Sequence, residues 1–198
     1  MTHTNWEGYL KILEALGDDH HLRITYDRGV LELLSPTPLH ERIKRVLGSL
    51  VECLLEELGR NGDAGGSTTF RRESLDRGLE PDECYWLHDH EWGQMEVPPP
   101  DLAIEVDITS SSLNKLDIYA SLGVGEVWRW NQKADCITVF LLSQPGVYEA
   151  SPVSRIFPHV PMDVLPGYVR LAIKVGYIKA LREFRAWVRT NLDRIDLT

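Results

Sequence analysis

The sequence predicts an α/β or α+β domain in which helices flank a central mixed β-sheet. Three observations support this fold class: a strongly periodic helical segment after residue 38, short strand-like segments on both sides of it, and a helical segment near the C-terminal end. The chain has 198 residues, of which 43% are hydrophobic, so it is long enough for one domain with a substantial core.

The first predicted elements are a short amphipathic helix and a β-hairpin. Gly17 ends a segment whose apolar residues follow helical spacing, namely Trp6, Tyr9, Leu10, Leu13 and Leu16. The next segment, "LRITYDRGVLELLSP", alternates apolar and polar residues around Asp27-Arg28-Gly29, which predicts two strands joined by a turn.

A long core helix is the clearest element of the sequence. Gly59 closes a segment in which apolar residues recur with the period of a helix, namely Leu39, Ile43, Val46, Leu47, Leu50, Val51, Leu54, Leu55 and Leu58. Three strand candidates follow, "STTFRRES", "CYWLHD" and "DLAIEVDIT", and the turn-rich segments "LDRGLEPD" and "EWGQMEVPPP" separate them.

The last third of the chain contains helix, hairpin, loop and helix. After Ser112 we expect a helix of roughly three turns that ends at Gly123. The segments "GEVWRWN" and "CITVFLL" then predict a hairpin, and a proline-containing loop leads to a final helix, "IKALREFRAWVRTNL".

Charge and cysteine content limit the function classes. The net charge of -9 repels polyanions, which disfavours a general nucleic-acid-coating role. Three cysteines that lie far apart form neither a CxxC zinc pattern nor an even disulfide framework, which indicates a reducing compartment. The chain begins without a basic segment followed by an apolar run and has no apolar stretch of about eighteen residues, so we expect a cytoplasmic protein.

Residues 170–198 carry seven basic and three acidic side chains, and several of the basic ones fall on one face of the final helix. We favour a solvated face on a docked helix. A contact with nucleic acid or with an acidic patch of a second subunit stays open.

Three carboxylates occupy one face of the strand in "PPPDLAIEVDITSSSLNKLDIY". Side chains alternate along a strand, so Asp101, Glu105 and Asp107 share a face, while an apolar row that includes Ile108 points to the core. Glu105 and Asp107 lie roughly 6–7 Å apart, where like charges disfavour the ionisation of both. A divalent cation would relieve this conflict, and ligands that offer only oxygen favour Mg²⁺ over zinc.

Two further residues complete a candidate site. Asp82, in "LEPDECYWL", precedes another strand, and two neighbouring strands could bring it to the same metal ion as Glu105. Lys115, four residues before Tyr119 on the next helix, could orient an attacking water or offset charge on a phosphoryl group. Taken singly, such acids are often solvated or shape turns, and such a lysine is most often a surface charge. The combination favours a functional site.

Two residues nearer the N-terminus are weaker candidates. His40, beside the core face of the long helix, is either a site residue or a half-buried histidine bonded to the backbone. Glu32 lies between leucines in the hairpin, where burying a carboxylate without a partner is costly. Glu41, which follows His40 in the sequence, is expected to interact with the dipole of the long helix.

The segments "GVLELLSPTPLHERI", "EPDECYWL" and "PPDLAIEVDITSSSLNKLDIYASLGVGEVWRW" resemble the Uma-two family, a large bacterial set of restriction-endonuclease-like proteins that is abundant in cyanobacteria. The resemblance spans residues 23 to 142 and is specific in order and spacing. It implies a PD-(D/E)xK nuclease fold, with a central mixed sheet between helices, and Mg²⁺-dependent hydrolysis of phosphodiester bonds, in which Mn²⁺ could substitute.

The resemblance also implies roles for the candidate residues. Asp82 becomes the motif aspartate and Glu105 the first acid of the (D/E)xK element, whose lysine position holds Asp107 in this chain. Similar proteins carry the lysine in the following helix, where Lys115 stands. Metal ligands would then be Asp82 and Glu105, with Asp107 or Asp101 as an auxiliary ligand, and Asp101, His40 and Glu32 match recurrent family positions.

The predicted organisation is one restriction-endonuclease-like domain over 1–198, with an N-terminal helix and hairpin over 1–38, a nuclease core over 39–142 and a C-terminal loop and helix over 143–198. DNA is the expected substrate and a homodimer the expected assembly, by analogy with nucleases that cut both strands. Two alternatives are an inactive nuclease-fold binding module and a metal-dependent phosphodiesterase that acts on RNA or nucleotides.

Overall fold

The computed structural model describes residues 1–17, 21–88, 97–107, 113–144 and 146–192. In these ranges the helices are α1 (Trp6–Leu16), α2 (Pro38–Glu57), α3 (Lys115–Leu122), α4 (Leu165–Val175) and α5 (Tyr177–Leu192). The strands are β1 (Thr2–His3), β2 (Arg23–Asp27), β3 (Val30–Leu34), β4 (Asp63–Ala64), β5 (Phe70–Arg72), β6 (Arg77–Leu79), β7 (Glu83–Trp86), β8 (Leu102–Asp107), β9 (Glu126–Asn131), β10 (Cys136–Gln144) and β11 (Val147–Ser151).

The central sheet is mixed and has helices on both faces. Its six strands follow the order β11-β10-β9-β8-β7-β4, in which β8 and β9 pair in parallel and every other pair is antiparallel. The helix α3 lies between β8 and β9 in sequence, as a parallel connection requires. The predicted α+β class with a central mixed sheet flanked by helices is therefore confirmed.

Both faces of β8 are buried. On one face Leu102, Ile104 and Val106 pack in a cluster with apolar side chains of α2, α4 and α5. On the other face Ala103 packs with Ile118 of α3 and with residues of the neighbouring sheet. The face that carries the acids is therefore covered, and it is not the solvated surface that acids on an isolated strand suggest.

A second, antiparallel sheet of five strands follows the order β1-β3-β2-β6-β5 and carries α1 on one face. Tyr9 of α1 stacks on Tyr26 of β2, with ring centroids 4.7 Å apart. The Tyr9 ring also lies over Gly78 of β6, where a Cβ atom would stand 2.4 Å from the Tyr9 hydroxyl. A glycine at this point is what allows the helix to approach the sheet so closely.

The helix α2 begins with a complete N-terminal cap. The side chain of Thr37 accepts a hydrogen bond from the His40 amide, and Pro38 occupies the first turn, where its missing N–H costs nothing. This cap places His40 in the first turn of α2. None of the helices in the described ranges is long and apolar enough to cross a membrane.

Several elements differ from the sequence prediction. The segment "LDRGLEPD", predicted as a turn, contains β6, and the predicted proline loop contains α4, whose Pro166 lies in the first turn, where helices tolerate proline. The strands β1, β4 and β11 were not predicted. Ser112 and Ile108 lie outside the described residues, and the predicted helix after Ser112 is α3.

Candidate active site

Two neighbouring strands bring Asp82 and Glu105 together. In the antiparallel pairing of β7 with β8, Glu83 stands opposite Ile104, so the register places Asp82 opposite Glu105. Only 2% of Asp82 and 4% of Glu105 is exposed. The backbone N–H of Val106 donates a hydrogen bond to Asp82 Oδ2 over 2.8 Å, which fixes the carboxylate against β8.

One turn of α3 holds both oxygens of the Glu105 carboxylate. Lys115 Nζ lies 2.6 Å from Oε2, and the hydroxyl of Tyr119 donates a hydrogen bond to Oε1. Lys115 and Tyr119 are four residues apart and therefore share one side of the helix. The Lys115 side chain is 14% exposed, so this ion pair is largely shielded from water.

Asp82 is contacted from the five-stranded sheet and from the start of α2. Arg23 Nε lies 3.3 Å from Oδ1, and His40 Nε2 lies 3.1 Å from Oδ2. Arg23 also donates to Glu41 Oε1 over 3.2 Å. His40 Nδ1 approaches the same oxygen of Glu41 to 3.3 Å without the alignment of a hydrogen bond, so among the described residues this buried nitrogen has an ion-pair contact but no hydrogen-bond partner.

The two carboxyl groups differ in their pKa. Burial raises the pKa of Glu105, Lys115 offsets only part of this effect, and the nearby charge of Asp82 adds to it. Burial also acts to raise the pKa of Asp82, but the His40 hydrogen bond and the charge of Lys115 outweigh it, so the pKa is lowered. Asp82 is therefore the stronger acid of the pair, and Glu105 is the carboxyl that binds a proton more readily.

The two basic groups beside these carboxylates both have a raised pKa. Burial acts to lower the pKa of Lys115, but Glu105 and Asp82 outweigh it and the pKa is raised. Burial likewise acts to lower the pKa of His40, but the hydrogen bond and charge of Asp82, together with Glu41, outweigh it and the pKa is raised. At neutral pH Lys115 is therefore an ammonium group that donates hydrogen bonds and does not act as a base.

Asp107 lies at the end of β8 but interacts with an arginine. Arg129 Nε of β9 donates a hydrogen bond to Asp107 Oδ2. In the described part of the chain no three His, Cys, Asp or Glu side chains gather in a way that could hold a metal ion. The structure therefore brings Asp82 and Glu105 together and leaves the predicted third ligand, Asp107, in a separate ion pair.

Asp101 lies away from the carboxylate pair, and Glu32 belongs to the sheet that supplies Arg23. Asp101 precedes β8, four residues and about 13 Å before Glu105, and it accepts hydrogen bonds from the Leu87 amide at 2.6 Å and interacts with His88 Nδ1 at 3.0 Å. The structure does not place it with Glu105. Glu32 is buried in β3 on the sheet face that also carries Arg23, because it pairs with Thr25 of β2.

Three residues of the site were not predicted from the sequence: Arg23, Tyr119 and Arg129. Tyr119 has a recognisable signal, because its spacing of four residues from Lys115 puts it on the same side of a helix. Arg23 and Arg129 have none, since their partners stand 59 and 22 residues away along the chain.

Two cavities open beside the carboxylates, and Lys115 and Asp107 line both. The larger one, of about 260 Å³, is also lined by Glu105, Tyr119 and Arg129. The smaller one, of about 80 Å³, is lined by Arg23, His40 and Asp82, among others. Lys115 therefore lies between two spaces that a small group or water molecule can enter.

The carboxylate pair fits a hard divalent cation. Proteins commonly bind Mg²⁺ through one or two carboxylates, with water and substrate phosphates as the remaining ligands. Asp82 and Glu105 offer two such groups, and a cation would relieve both the cost of burying the Glu105 charge and its repulsion by Asp82, which together raise the pKa of Glu105. Zinc sites usually include several nitrogen or sulfur ligands, and among the described residues His40 is the one such ligand that contacts the pair.

The basic face of the final helix is partly occupied within the chain. Arg185 forms ion pairs with Glu56 and Glu57 at the end of α2, and Arg189 pairs with Glu57 as well. These pairs dock α5 on α2, so the arginines in them are not free for nucleic acid. Three of the charged residues in 170–198 lie outside the described ranges, namely Asp193, Arg194 and Asp196.

Comparisons with known proteins identify one family. The family model described as "Uma2: Putative restriction endonuclease" matches residues 6–174. A solved structure with a similar fold is that of "a putative nuclease belonging to DUF820 from Anabaena variabilis ATCC 29413". It is 15% identical to this chain, the alignment covers 92% of this chain and 99% of that one, and the TM-score is 0.53, which shows a shared fold. No curated protein matches the chain significantly.

Proposed function

The chain belongs to the Uma2 family, described as "Putative restriction endonuclease", and from this premise we propose that it is a Mg²⁺-dependent endonuclease that hydrolyses phosphodiester bonds of DNA. The observation that carries the proposal is the buried pair Asp82 and Glu105 with Lys115 Nζ on the Glu105 carboxylate. A structural role alone gives little reason to bury two acids and a lysine beside an open cavity, because burying such charges is costly.

Asp82 and Glu105 would hold the ion, and Val106 N–H, Arg23 and His40 keep the Asp82 carboxylate in place for it. Mg²⁺, when bound, supplies a Lewis acid that polarises the phosphoryl oxygens and lowers the pKa of water. The hydroxyl of Tyr119 fixes the orientation of Glu105.

Lys115 acts on the substrate as a hydrogen-bond donor. Its ammonium group can turn from Glu105 Oε2 to the attacking water or to a phosphoryl oxygen in the adjoining cavity, where it offsets developing negative charge. In the reaction the water oxygen bonds to phosphorus and the bond from phosphorus to the sugar oxygen breaks. The proton from the water ends on the leaving sugar oxygen, which gives one phosphate monoester and one hydroxyl end.

Cleavage assays test the proposal. We expect the wild-type protein to cut duplex DNA with Mg²⁺ or Mn²⁺ and not with excess EDTA, and Lys115→Ala to lower the rate by a factor of about 10² or more, as loss of a group that stabilises transition-state charge does. The circular dichroism spectrum of the variant should match that of the wild type. Undiminished cleavage by Lys115→Ala would remove Lys115 from the mechanism.

The same assay separates the substrates. Duplex DNA, single-stranded DNA and RNA are compared at equal concentration, and we expect duplex DNA to be cut fastest. Preferential cleavage of RNA would instead support the metal-dependent phosphodiesterase alternative. The expected homodimer, which would place two sites on the two strands, is tested by light scattering after size exclusion.

An inactive binding module of the same fold is the second candidate, favoured by the ion pair that Asp107 forms with Arg129 in place of a metal ligand. Thermal unfolding discriminates between them, because a ligand that binds only the native state raises the melting temperature. We expect Mg²⁺ and Mn²⁺ to raise it in the wild type and not in Glu105→Gln. If neither ion changes it in the wild type, the binding module is correct.

A further inference from the structure

Arg129 stands next to Glu105 on the neighbouring strand. The parallel pairing of β8 with β9 places Arg129 opposite Glu105, and both side chains line the cavity of about 260 Å³. Val127, two residues earlier and thus on the same face of β9, packs under α3. Arg129 therefore lies just beyond the part of this sheet face that α3 covers, beside the candidate catalytic residues.

Among the described residues, the guanidinium group of Arg129 is hydrogen-bonded through one nitrogen. Nε donates to Asp107, while Nη1 and Nη2 make no hydrogen bond to any described residue. The side chain is 46% exposed, compared with 21% for Asp107. Asp107 thus fixes the plane of the guanidinium, and within the described part of the chain the two terminal nitrogens are available to a ligand.

The wall of the cavity offers donors suited to an anion. Arg129, Lys115 and Asn114 all line it, and each of its two acids, Glu105 and Asp107, is already bonded to a cation. A guanidinium group binds phosphate oxygens through two parallel N–H bonds, which gives both strength and orientation. The chain as a whole carries a net charge of -9, so a polyanion needs such local donors to approach the site.

We propose that Arg129 binds a backbone phosphate of the nucleic acid next to the bond that is cleaved, and that Asp107 positions Arg129 and is not a metal ligand. This inference rests on the proposed nuclease function, whose site it extends from the carboxylate pair to the substrate. It also gives a role to Asp107, which stands at the third position of the (D/E)xK element: the aspartate holds the arginine on the next strand.

Binding measurements on single variants test the role of Arg129. Fluorescence anisotropy of a labelled DNA duplex is recorded with Ca²⁺ in place of Mg²⁺, over a series of salt concentrations. We expect Arg129→Ala to weaken binding about tenfold and to reduce the slope of log K against log salt by about 0.9, the value for one lost phosphate contact. Arg129→Lys should recover part of the affinity, because it keeps the charge and loses the paired donors.

Arg170→Ala is the matched control. Arg170 is also a partly exposed arginine bound to one aspartate, Asp135, and it lies on α4, which packs on the opposite face of the sheet. Removing Arg170 changes the net charge by the same amount as removing Arg129. Because Arg170 lies on the opposite face of the sheet, we expect the salt slope of Arg170→Ala to stay within error of the wild type. An Arg129→Ala variant that binds and cleaves like Arg170→Ala overturns the role of Arg129 and leaves the proposed function intact.

Asp107→Asn separates positioning from metal binding. If Asp107 acts through Arg129, Asp107→Asn weakens DNA binding, adds little to the effect of Arg129→Ala in the double variant and keeps the Mn²⁺-induced rise in melting temperature. Loss of that rise in Asp107→Asn, with DNA affinity unchanged, would show that Asp107 is a metal ligand and overturn the inference. A wild-type protein that binds and cleaves no nucleic acid refutes both the inference and the proposed function.

Discussion

At the scale of single residues, Glu105 depends on two donors from one helical turn. Lys115 contacts one of its oxygens and Tyr119 the other. The carboxyl group is therefore paired with a cation and also fixed in orientation. The hydroxyl of Tyr119 is buried with it. A buried acceptor that loses its donor costs about 1–3 kcal/mol, which makes Tyr119 the most informative neighbour to change.

We therefore expect Tyr119→Phe to lower the free energy of unfolding by about 1–3 kcal/mol and also to weaken Mn²⁺ binding, because Glu105 loses its orientation. The free energy is measured by urea unfolding and the Mn²⁺ affinity by calorimetry. Tyr148→Phe is the control: its hydroxyl donates to the Val124 carbonyl over 2.5 Å, so its loss should cost stability alone. Equal Mn²⁺ affinity in both variants would contradict the role given to Tyr119.

The pKa of Glu105 predicts a pH dependence. Because its pKa is raised in the folded protein, ionising Glu105 costs stability as the pH rises above the ordinary glutamate range. A divalent cation binds only the ionised form and offsets this cost. The lowered pKa of Asp82 keeps that carboxylate ionised at neutral pH, and the stability that it contributes is lost only in acid, below the ordinary aspartate range.

We expect the rise in melting temperature caused by Mn²⁺ to grow between about pH 5 and about pH 8. Scanning calorimetry at fixed Mn²⁺ measures it. His40 also changes charge in this range and contacts Asp82, so His40→Gln serves as the control, and the dependence that survives in it belongs to Glu105. A rise that is the same at every pH would contradict the account.

The sequence predicted the residues of the site that follow from local patterns. Alternation along one strand led to Glu105, a proline-aspartate strand start to Asp82, and the order strand, turn, helix to Lys115. It could not predict the partners Arg23 and Arg129, because their bonds join distant parts of the chain and leave no periodic signal. For the same reason Asp107 was expected to face a metal ion, since the arginine beside it comes from the next strand.

At the scale of elements, long periodic segments were predictable and short or edge segments were not. The helices α2 and α5 and the strands β7 to β9 agree in position with their predictions. The strand β6 has three residues, one of them glycine, and β11 is a largely exposed edge strand without apolar alternation. Their pairing with neighbouring strands, and not their own sequence, makes them strands.

The packing of α1 on β6, a strand that the sequence did not predict, can be tested at Gly78. Gly78→Ala should lower the free energy of unfolding by about 1–3 kcal/mol, because the new methyl group would displace the buried ring of Tyr9 from Tyr26. Urea unfolding measures it.

Gly167→Ala is the matched control for Gly78→Ala. Gly167 lies in helix α4, where a Cβ atom meets only the tip of Arg170 at 3.8 Å. There alanine should leave stability unchanged or raise it by up to about 1 kcal/mol. A Gly78→Ala variant as stable as the wild type would mean that α1 does not pack as described.

At the scale of the whole molecule, three layers meet at the carboxylate pair. The central sheet supplies Asp82 and Glu105, α3 supplies Lys115, and the five-stranded sheet with the start of α2 supplies Arg23 and His40. The other two layers bring cationic groups to acids that the central sheet alone would leave unpaired. The site is therefore a product of the complete fold, and the strand motif is only its central part.

The central claim is that Asp82 and Glu105 form one divalent-cation site beside Lys115. Anomalous diffraction from crystals soaked in Mn²⁺ tests it most directly. We predict one strong peak within about 2.2 Å of an oxygen from each carboxylate, with Lys115 Nζ turned toward the adjoining cavity. A peak that joins Asp107 or Asp101 without Asp82, or no peak at the pair, would contradict the account.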